Sequence, residues 1–457
     1  MEIDKPEANQ ASGVIDAPIL TEQSPAMSED SPPFEASAWE IIAAFLTYAA
    51  LYAFVRLCQM GPLVEPPERT FSLVVGGLGL FYIGLVELVN RGRPRLKESW
   101  VWLGCYAAAL AGIAFWRLEV WNETQHSLFL FIFGIWWALS RGGALLERQS
   151  GRLLPLDATN GFLLFPFRHF FLRARTAGCA LARLWRKRLR PMLWRGEGPV
   201  SAALAWTAGA VLTAGGLFAA AGCLLSAADE GFAGMMRGAA GLFRVRVSVD
   251  AVNALCLSLP LGAYLFGATA GPGRESRHRL RVQADRIDAL WARLRQVPPA
   301  AWTALIAAFA LLYALFFAVQ GSYLFGAFTR TLPAGFIVSE YARRGFFELC
   351  GVMAVNFALL WLAVRLSAAP VRENRPLLIA CLLLLGESAL LAVVALSKLG
   401  LYIDCFGFTP LRLQSSWLAC VLLFGCGCAA ASLLTGRKTF RTWMFFGAAT
   451  LAALCLY

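Results

Sequence analysis

Long apolar runs separated by short polar stretches dominate this chain. A helix needs about 20 mainly apolar residues to cross a bilayer, and scanning for such runs gives about 11 candidate spans. The pattern therefore predicts an all-α, polytopic integral membrane helix bundle with about 11 transmembrane helices. The candidate spans lie near residues 39–58, 71–89, 99–116, 126–146, 200–227, 250–271, 300–327, 345–366, 376–400, 413–434 and 440–457.

Composition supports the membrane interpretation. Hydrophobic residues make up 58% of the 457 positions and charged residues only 15%. Soluble domains have about 45 to 50% apolar and about 25% charged residues. Soluble enzyme classes therefore become less favoured, and a membrane protein is the better interpretation.

Residues 1–37 differ from the rest of the chain. They hold eight carboxylates, one lysine and several prolines and serines, without a long apolar run. This composition predicts a disordered acidic N-terminal tail. It lacks the apolar core of a secretory signal peptide, so we expect the first span to direct the chain to the membrane. Residues 38–457 then form the transmembrane helical domain.

Basic residues are distributed unevenly among the predicted loops. The even-numbered loops carry about three times as many Lys and Arg residues as the odd-numbered ones. Since basic residues accumulate on the cytoplasmic side, the amino terminus is predicted to be cytoplasmic and the carboxyl terminus periplasmic or extracellular. The net charge of +12 is then mostly a property of the cytoplasmic face, and no nucleic-acid partner is expected.

Two cytoplasmic loops, 140–199 and 272–299, are basic and amphipathic. Residues 162–195 of the first interleave Phe, Leu and Trp with Arg and Lys, as an interfacial helix does. The partners predicted for this surface are anionic lipids of the cytoplasmic leaflet, although ordinary positive-inside anchoring without lipid specificity would give the same pattern. The lipid-surface candidates are Arg183, Arg186, Lys187, Arg188 and Arg190.

The second of these loops has a helical period. Its apolar residues Leu280, Ile287, Leu290 and Leu294 recur at helical spacing among arginines. This spacing predicts an amphipathic helix on the surface of the bundle.

Charged residues within the spans are costly, because even insertion scales assign them about 2.5 kcal/mol or more at the centre of a membrane helix. Glu40 and Arg365 lie near span ends and can snorkel to the interface. Glu87 is close to the end of its span, where we expect solvent to reach it. Glu387 lies near the middle of its span. Lys398 follows on nearly the same helix face but about 16 Å along the axis, too far for a direct pair.

The eighth span supplies further polar residues. Tyr341 and Glu348 share a helix face, Arg344 precedes Glu348 by one turn, and Asn356 lies two turns deeper. In one interpretation Arg344 neutralises Glu348 and Asn356 only bridges helices. In the other, these groups line a polar pocket suited to proton coupling or to a polar headgroup. The candidates for a substrate or ion path are Tyr341, Arg344, Glu348, Asn356, Glu387, Lys398 and Gln320.

Cysteine and histidine do not indicate a metal or cofactor site. The twelve cysteines lie mostly in apolar runs, where a thiol behaves as a small hydrophobe. Cys426 and Cys428 are two residues apart, without a histidine or a second cysteine pair beside them. With three histidines in the whole chain, paired haem ligands are not expected. We therefore predict no metal and no cofactor.

Several motifs resemble a bacterial polytopic membrane family that is catalogued as a domain of unknown function. They include the segments 313–326 and 332–356, the Phe-Gly-Phe-Thr-Pro-Leu-Arg run at 406–412, and the Ser-Ala-Ala-Asp-Glu-Gly-Phe run at 226–232. The resemblance covers roughly residues 200–435. It implies a multi-pass protein of the bacterial inner membrane, and it brings no established activity or site residues.

Three functions stay open at this point. The first is transport of a small or amphiphilic solute through a polar intramembrane site. The second is a non-catalytic scaffold or regulator that binds lipids or proteins through its basic cytoplasmic face. The third is an enzyme acting on a lipid-linked substrate, with Glu348 or Asp229 as base. Protein partners and oligomeric state are not determined by the sequence.

Overall fold

The computed structural model describes residues 34–60, 67–115, 120–189, 248–325 and 346–456, together with scattered positions between 213 and 235. In these ranges the secondary structure is helical, apart from one isolated bridge between Val297 and Ser367. The α-helices are α1 (Ala38–Met60), α2 (Pro67–Val89), α3 (Ser99–Phe115), α4 (Glu123–Gly142), α5 (Leu154–Thr159), α6 (Phe165–Arg168), α7 (Leu172–Leu184), α8 (Val249–Arg274), α9 (Arg277–Leu294), α10 (Pro299–Phe325), α11 (Phe346–Leu366), α12 (Arg375–Phe406), α13 (Pro410–Thr435) and α14 (Phe440–Leu454). Two π-helical turns, Asn160–Leu164 and Trp185–Leu189, and a 3₁₀ turn, Val371–Glu373, complete the set.

Seven of the described helices are long and apolar enough to cross a membrane: α1, α2, α8, α10, α11, α12 and α13. The shorter α3 is also apolar. Ten of the eleven predicted spans coincide with a helix. The segment at 200–227 lies outside the described residues, apart from scattered positions. The all-α fold class is thus confirmed, with seven candidate spans where about 11 are predicted.

The ends of α4 follow standard capping chemistry. The side chain of Asn122 accepts a hydrogen bond from the backbone of Gln125, at 2.8 Å, and the side chain of Gln125 accepts one from the backbone of Asn122. This capping box satisfies two amides that the first turn leaves free. At the other end, Gly143 adopts φ 70°, a left-handed conformation that glycine takes at little cost.

Two large apolar cores organise the bundle. In the first, α12 packs against α10, α11 and α13, with fully buried Met353, Leu384 and Leu391 at its centre. The second joins α2, α3, α4 and α14 through aromatic side chains, among them Tyr82 and Trp137, whose rings meet edge to face. A smaller core includes Leu280 and seats the first half of α9.

Ion pairs mark one end of the bundle, which we call the basic side. Glu40, at the start of α1, bonds Arg274 at the end of α8, with N···O distances of 2.6 and 3.2 Å. Arg441, at the start of α14, bonds Glu98 before α3, at 3.1 Å. On the same side, Ala368 donates a backbone hydrogen bond to Val297, which joins the segment before α10 to the one after α11. The loops predicted to be basic therefore share one side of the bundle.

The loop predicted to be interfacial, 162–195, packs partly against the spans. Helices α6 and α7 contact α8, and α7 also contacts α1. Its exposed surface includes apolar side chains, with Phe171 72% and Leu181 60% accessible. Arg173, by contrast, is 3% exposed, and its guanidinium lies 3.8 Å over the ring of Tyr48. The segment thus has apolar side chains on its exposed surface and one arginine inside the bundle.

The apolar face predicted for α9 is buried at some positions and exposed to solvent or lipid at others. Leu280 is buried, whereas Leu290 and Leu294 are 50% and 46% exposed. The carboxyl-terminal half of the helix turns toward α11, where the ring of Trp291 meets Trp361 edge to face at 5.3 Å. α9 thus lies on the surface, as its spacing predicts.

Candidate functional site

A chain of hydrogen bonds crosses three helices in the middle of the first core. The hydroxyl of Tyr313 on α10 donates to Oδ1 of Asn356 on α11, at 2.8 Å. The Nδ2 group of Asn356 donates to the hydroxyl of Ser388 on α12, at 2.9 Å. Ser388 in turn donates to the carbonyl oxygen of Leu384, at 2.8 Å. The Asn356 and Ser388 side chains are buried, so the chain is a polar core surrounded by apolar residues.

Glu387 stands next to this polar chain. It precedes Ser388 on α12, is half-buried, and lies near enough to Tyr313 for its charge to act on the phenol. Its Oε2 atom is buried, and within the described residues it has no hydrogen-bond partner. Because α12 begins twelve residues earlier and ends nineteen residues later, Glu387 lies far from either end of a helix that can cross the bilayer.

The other predicted path residues on described helices do not join this cluster by hydrogen bonds. Glu348 is exposed, in the first turn of α11 and two turns before Asn356. Gln320 is exposed, two turns beyond Tyr313 on α10. Lys398 is buried on α12, about 16 Å along the axis from Glu387. The structure therefore brings together Asn356 and the Glu387 segment, and leaves Glu348 and Gln320 at the helix surfaces.

Four of the predicted path and lipid-surface residues have side chains outside the part that can be described. Tyr341 and Arg344 precede the start of α11, and the side chains of Arg188 and Arg190 fall beyond the described part of the π-helical turn. The expected ion pair between Arg344 and Glu348 stays a prediction. Three lipid-surface candidates are described and exposed, on α7 and the turn that follows: Arg183, Arg186 and Lys187.

Two members of the polar chain, Tyr313 and Ser388, are absent from the sequence-based set of path residues. A signal for each is present in the chain. Tyr313 stands in a long apolar run seven residues before Gln320, on the same helix face, and Ser388 is adjacent to Glu387. The sequence does not reveal that Asn356 faces both of them, because that depends on how α10 and α11 pack against α12.

Glu87 and Glu40 are held by arginines, where solvation or snorkelling at the membrane edge was expected. Glu87 forms ion pairs with Arg95 and with Arg141, the latter at 3.2 Å. Arg141 is 6% exposed and also donates to the backbone carbonyl oxygens of Asn90 and Arg93, at 2.9 and 3.3 Å. These pairs fix the ends of α2 and α4 to each other on the basic side. Burying a charge requires such partners.

Another carboxyl group with a buried, unbonded oxygen lies on the basic side of the described structure, outside the candidate spans. Asp157 on α5 is 1% exposed, and its Oδ1 atom accepts a hydrogen bond from the backbone of Leu146, at 3.0 Å. Its Oδ2 atom is buried without a hydrogen-bond partner among the described residues. Burial, together with the nearby charges of Glu147 and Glu98, raises the pKa of Asp157 to about 7, while the hydrogen bond from Leu146 opposes the rise. This carboxyl group can thus change its charge near neutral pH.

The described residues contain no cluster of three or more His, Cys, Asp or Glu side chains that could hold a metal ion. The chemistry present in the core is therefore that of hydroxyl, amide and carboxyl groups. Such groups can bind a polar solute or transfer a proton.

The fold and the polar chain define a class, that of all-helical proteins with several candidate membrane spans and a buried polar cluster between them. Residues 104–457 match the model of a family described as Domain of unknown function (DUF4153). The chain belongs to this family. No curated protein and no solved structure matches the chain. Membership confirms the resemblance seen in the sequence, and it extends to α3, α4 and α14.

Proposed function

We propose that this protein is a multi-pass transporter of the bacterial inner membrane, which moves a small or amphiphilic solute through a polar site within the bundle. The observation that carries the proposal is Glu387, a carboxyl group in the middle of a helix of spanning length, with one buried oxygen that no described residue bonds. An ionisable residue inside a membrane costs free energy. Those that do occur there commonly belong to proton relays or substrate paths.

The neighbouring groups suit that role. Tyr313, Asn356 and Ser388 form a continuous donor and acceptor chain across α10, α11 and α12. A proton that enters or leaves Glu387 changes the charge beside this chain, and the hydroxyl and amide groups can reorient in response. Glu387 would thus be the proton-carrying group, and the polar chain would hold the solute.

The orientation belongs to the same proposal. The ion pairs of Glu40, Glu87 and Glu98 gather the basic loops on one side of the bundle. By the positive-inside rule that side faces the cytoplasm, which places the amino terminus in the cytoplasm and the carboxyl terminus in the periplasm.

Proton movement in proteoliposomes tests the transport function. The vesicles contain a pH-sensitive dye, and a potassium gradient with valinomycin drives protons inward. We expect the wild-type protein to acidify the lumen faster than protein-free vesicles do, and the Glu387→Gln variant to fall to the protein-free rate. The matched control is Glu348→Gln, an exposed carboxylate on α11, which should keep the wild-type rate. Equal rates in wild-type and Glu387→Gln vesicles would contradict the proposal.

A second function, a scaffold or regulator on the membrane surface, is favoured by the outer face of α7. Leu181 and Leu184 are 60% and 49% exposed beside the exposed cations Arg183, Arg186 and Lys187. Apolar and basic residues on one helix suit binding to an anionic membrane surface or to a partner protein. Reversing the charge at Arg186 and Lys187 would then impair function more than Glu387→Gln, whereas the transport proposal predicts the opposite order.

A further inference from the structure

A groove opens on the outer surface of the bundle between α13 and α14. Its volume is about 580 Å³. The lining is mainly apolar, and the hydroxyl of Thr439 donates a hydrogen bond to the carbonyl oxygen of Cys428. The groove is lined by Cys420, Leu423, Phe424, Gly427, Cys428, Ala431, Thr439, Thr442 and Phe446.

Two glycines of α13 show how the helix forms this groove. At Gly425 a Cβ atom would lie 2.7 Å from the indole of Trp443, so this face is packed tightly against α14. At Gly427 a Cβ atom would meet no atom within 4 Å. The groove is therefore open at Gly427. Phe424 and Phe446, whose ring centroids are 4.2 Å apart, both line it.

The length of the groove matches lipid acyl chains. From Cys420 to Ala431 it follows α13 for about 16 Å, which is half of the roughly 30 Å hydrocarbon core of a bilayer. The groove thus has the length of the acyl chains in one leaflet.

Positive charge surrounds the end of the groove on the basic side. The turn between α13 and α14 contains Arg437 and Lys438, both exposed. Arg372 also reaches this turn, since one of its guanidinium nitrogens lies 2.7 Å from the position of a Cβ atom on Gly436. Among the described residues none of these three cations forms an ion pair. Cations at the membrane surface attract anionic lipid headgroups.

We propose that this groove binds one anionic phospholipid. The acyl chains lie along Gly427 between Phe424 and Cys428, and the headgroup phosphate meets Arg437, Lys438 and Arg372. The site is separate from the Glu387 cluster, and the proposal does not depend on transport.

Native mass spectrometry of the full chain tests the site. Purified protein is titrated with phosphatidylglycerol, an anionic lipid, and with phosphatidylcholine, a neutral one, and the lipid-bound fraction is measured. Gly427→Leu fills the groove without touching another protein atom at Cβ. The matched control is Gly351→Leu on α11, where a Cβ atom also meets nothing within 4 Å. Thr442→Leu fills the groove from α14 and provides a second variant.

We expect Gly427→Leu and Thr442→Leu to weaken the tightest phosphatidylglycerol binding about tenfold, since displacing two methylene groups is sufficient for that loss. Gly351→Leu should bind like the wild type. Replacing Arg437 and Lys438 by Gln should remove the preference for phosphatidylglycerol over phosphatidylcholine and keep the binding of neutral lipid.

Three results would overturn the proposal. The first is unchanged phosphatidylglycerol binding in both groove-filling variants. The second is an equal loss in Gly351→Leu, which would indicate a general effect on the bundle. The third is a wild-type dimer that Gly427→Leu converts to a monomer with its lipid binding intact, because the occupant would then be a second copy of the chain.

Discussion

Asn356 and Ser388 are 32 residues apart in sequence, and the side-chain amide of the first donates to the hydroxyl of the second at 2.9 Å in the middle of the bundle. The same amide group accepts from Tyr313. One asparagine therefore joins three helices. A buried polar group costs free energy when unsatisfied, so its two bonds fix the rotation of α11 relative to α10 and α12.

Replacing this asparagine by leucine should destabilise the helix contacts. In Asn356→Leu the hydroxyl of Tyr313 loses its acceptor, and we expect a loss of about 1 to 2 kcal/mol, since interhelical hydrogen bonds in membranes reach about that size. Thermal unfolding in detergent measures it. Asn253→Leu, at an exposed position of α8, is the control and should change little. An equal loss of stability in the two variants would show that the hydrogen bonds of Asn356 do not contribute specially to stability.

The arginines around Glu87 should differ in their contribution to stability. Arg141 is nearly buried and binds Glu87 together with two backbone carbonyl oxygens, whereas the Arg95 side chain is 21% exposed. Arg141→Met leaves those acceptors without partners, and we expect it to cost at least about 2 kcal/mol. Arg95→Met should cost less, because water can replace its guanidinium. Comparing the unfolding temperatures of the two variants tests this order.

Asp157 should make stability depend on pH. Its pKa is raised to about 7 in the folded chain, whereas in an unfolded chain it lies near 4. Between these values the folded state holds a proton that the unfolded state releases, so stability falls as pH rises from about 4 to about 7. The penalty is complete above pH 7 and amounts to at most about 4 kcal/mol, which corresponds to about three pKa units.

Asp157→Asn removes that penalty and keeps the acceptor for Leu146. The variant should therefore gain stability over the wild type as pH rises from 5 to 8, measured as the difference between their unfolding temperatures. Asp285→Asn changes an exposed carboxylate on α9 and serves as control. A difference for Asp157→Asn that does not vary with pH would show that this carboxyl group does not titrate in that range.

Two glycines of α3 give a test of packing. At Gly112 a Cβ atom would lie 1.9 Å from the backbone oxygen of Cys455, after the end of α14, whereas at Gly104 it would meet nothing within 4 Å. Gly112→Ala forces α3 and the end of α14 apart, and we expect a cost of about 1 to 3 kcal/mol. Gly104→Ala should be neutral or slightly stabilising, because alanine favours the helix. Thermal unfolding of both variants compares them directly.

The positions of the helices follow from local pattern, and the sequence predicts them well. The apolar runs at 39–58, 376–400 and 413–434 become α1, α12 and α13. Most ends of these helices lie within a few residues of the predicted ends. The run at 376–400 continues to Phe406, because Leu401, Tyr402 and Ile403 extend the same helix past the predicted end. The period of α9 likewise predicts a surface helix, and Leu280 anchors its first half.

The contacts between polar residues depend on how the helices are rotated and packed against one another. The sequence does not directly specify this packing. Glu348 and Asn356 are both polar positions of α11, yet Glu348 is exposed and Asn356 is at the centre of the polar chain. The position of Glu87 near a helix end predicts that solvent reaches it. In the structure Arg141 of α4 forms an ion pair with it.

The sequence by itself determined the class of protein, since apolar runs of spanning length can be satisfied only as helices in a membrane, where each backbone group must bond within its own segment. It also placed the basic loops on alternating connections. The tertiary structure alone decided that Tyr313, Asn356 and Ser388 form one chain beside Glu387, that Arg141 and Arg274 neutralise Glu87 and Glu40, and that a groove remains open at Gly427. These are contacts between residues far apart in sequence, and their existence depends on side-chain packing between helices rather than on the hydrophobic period of any one of them.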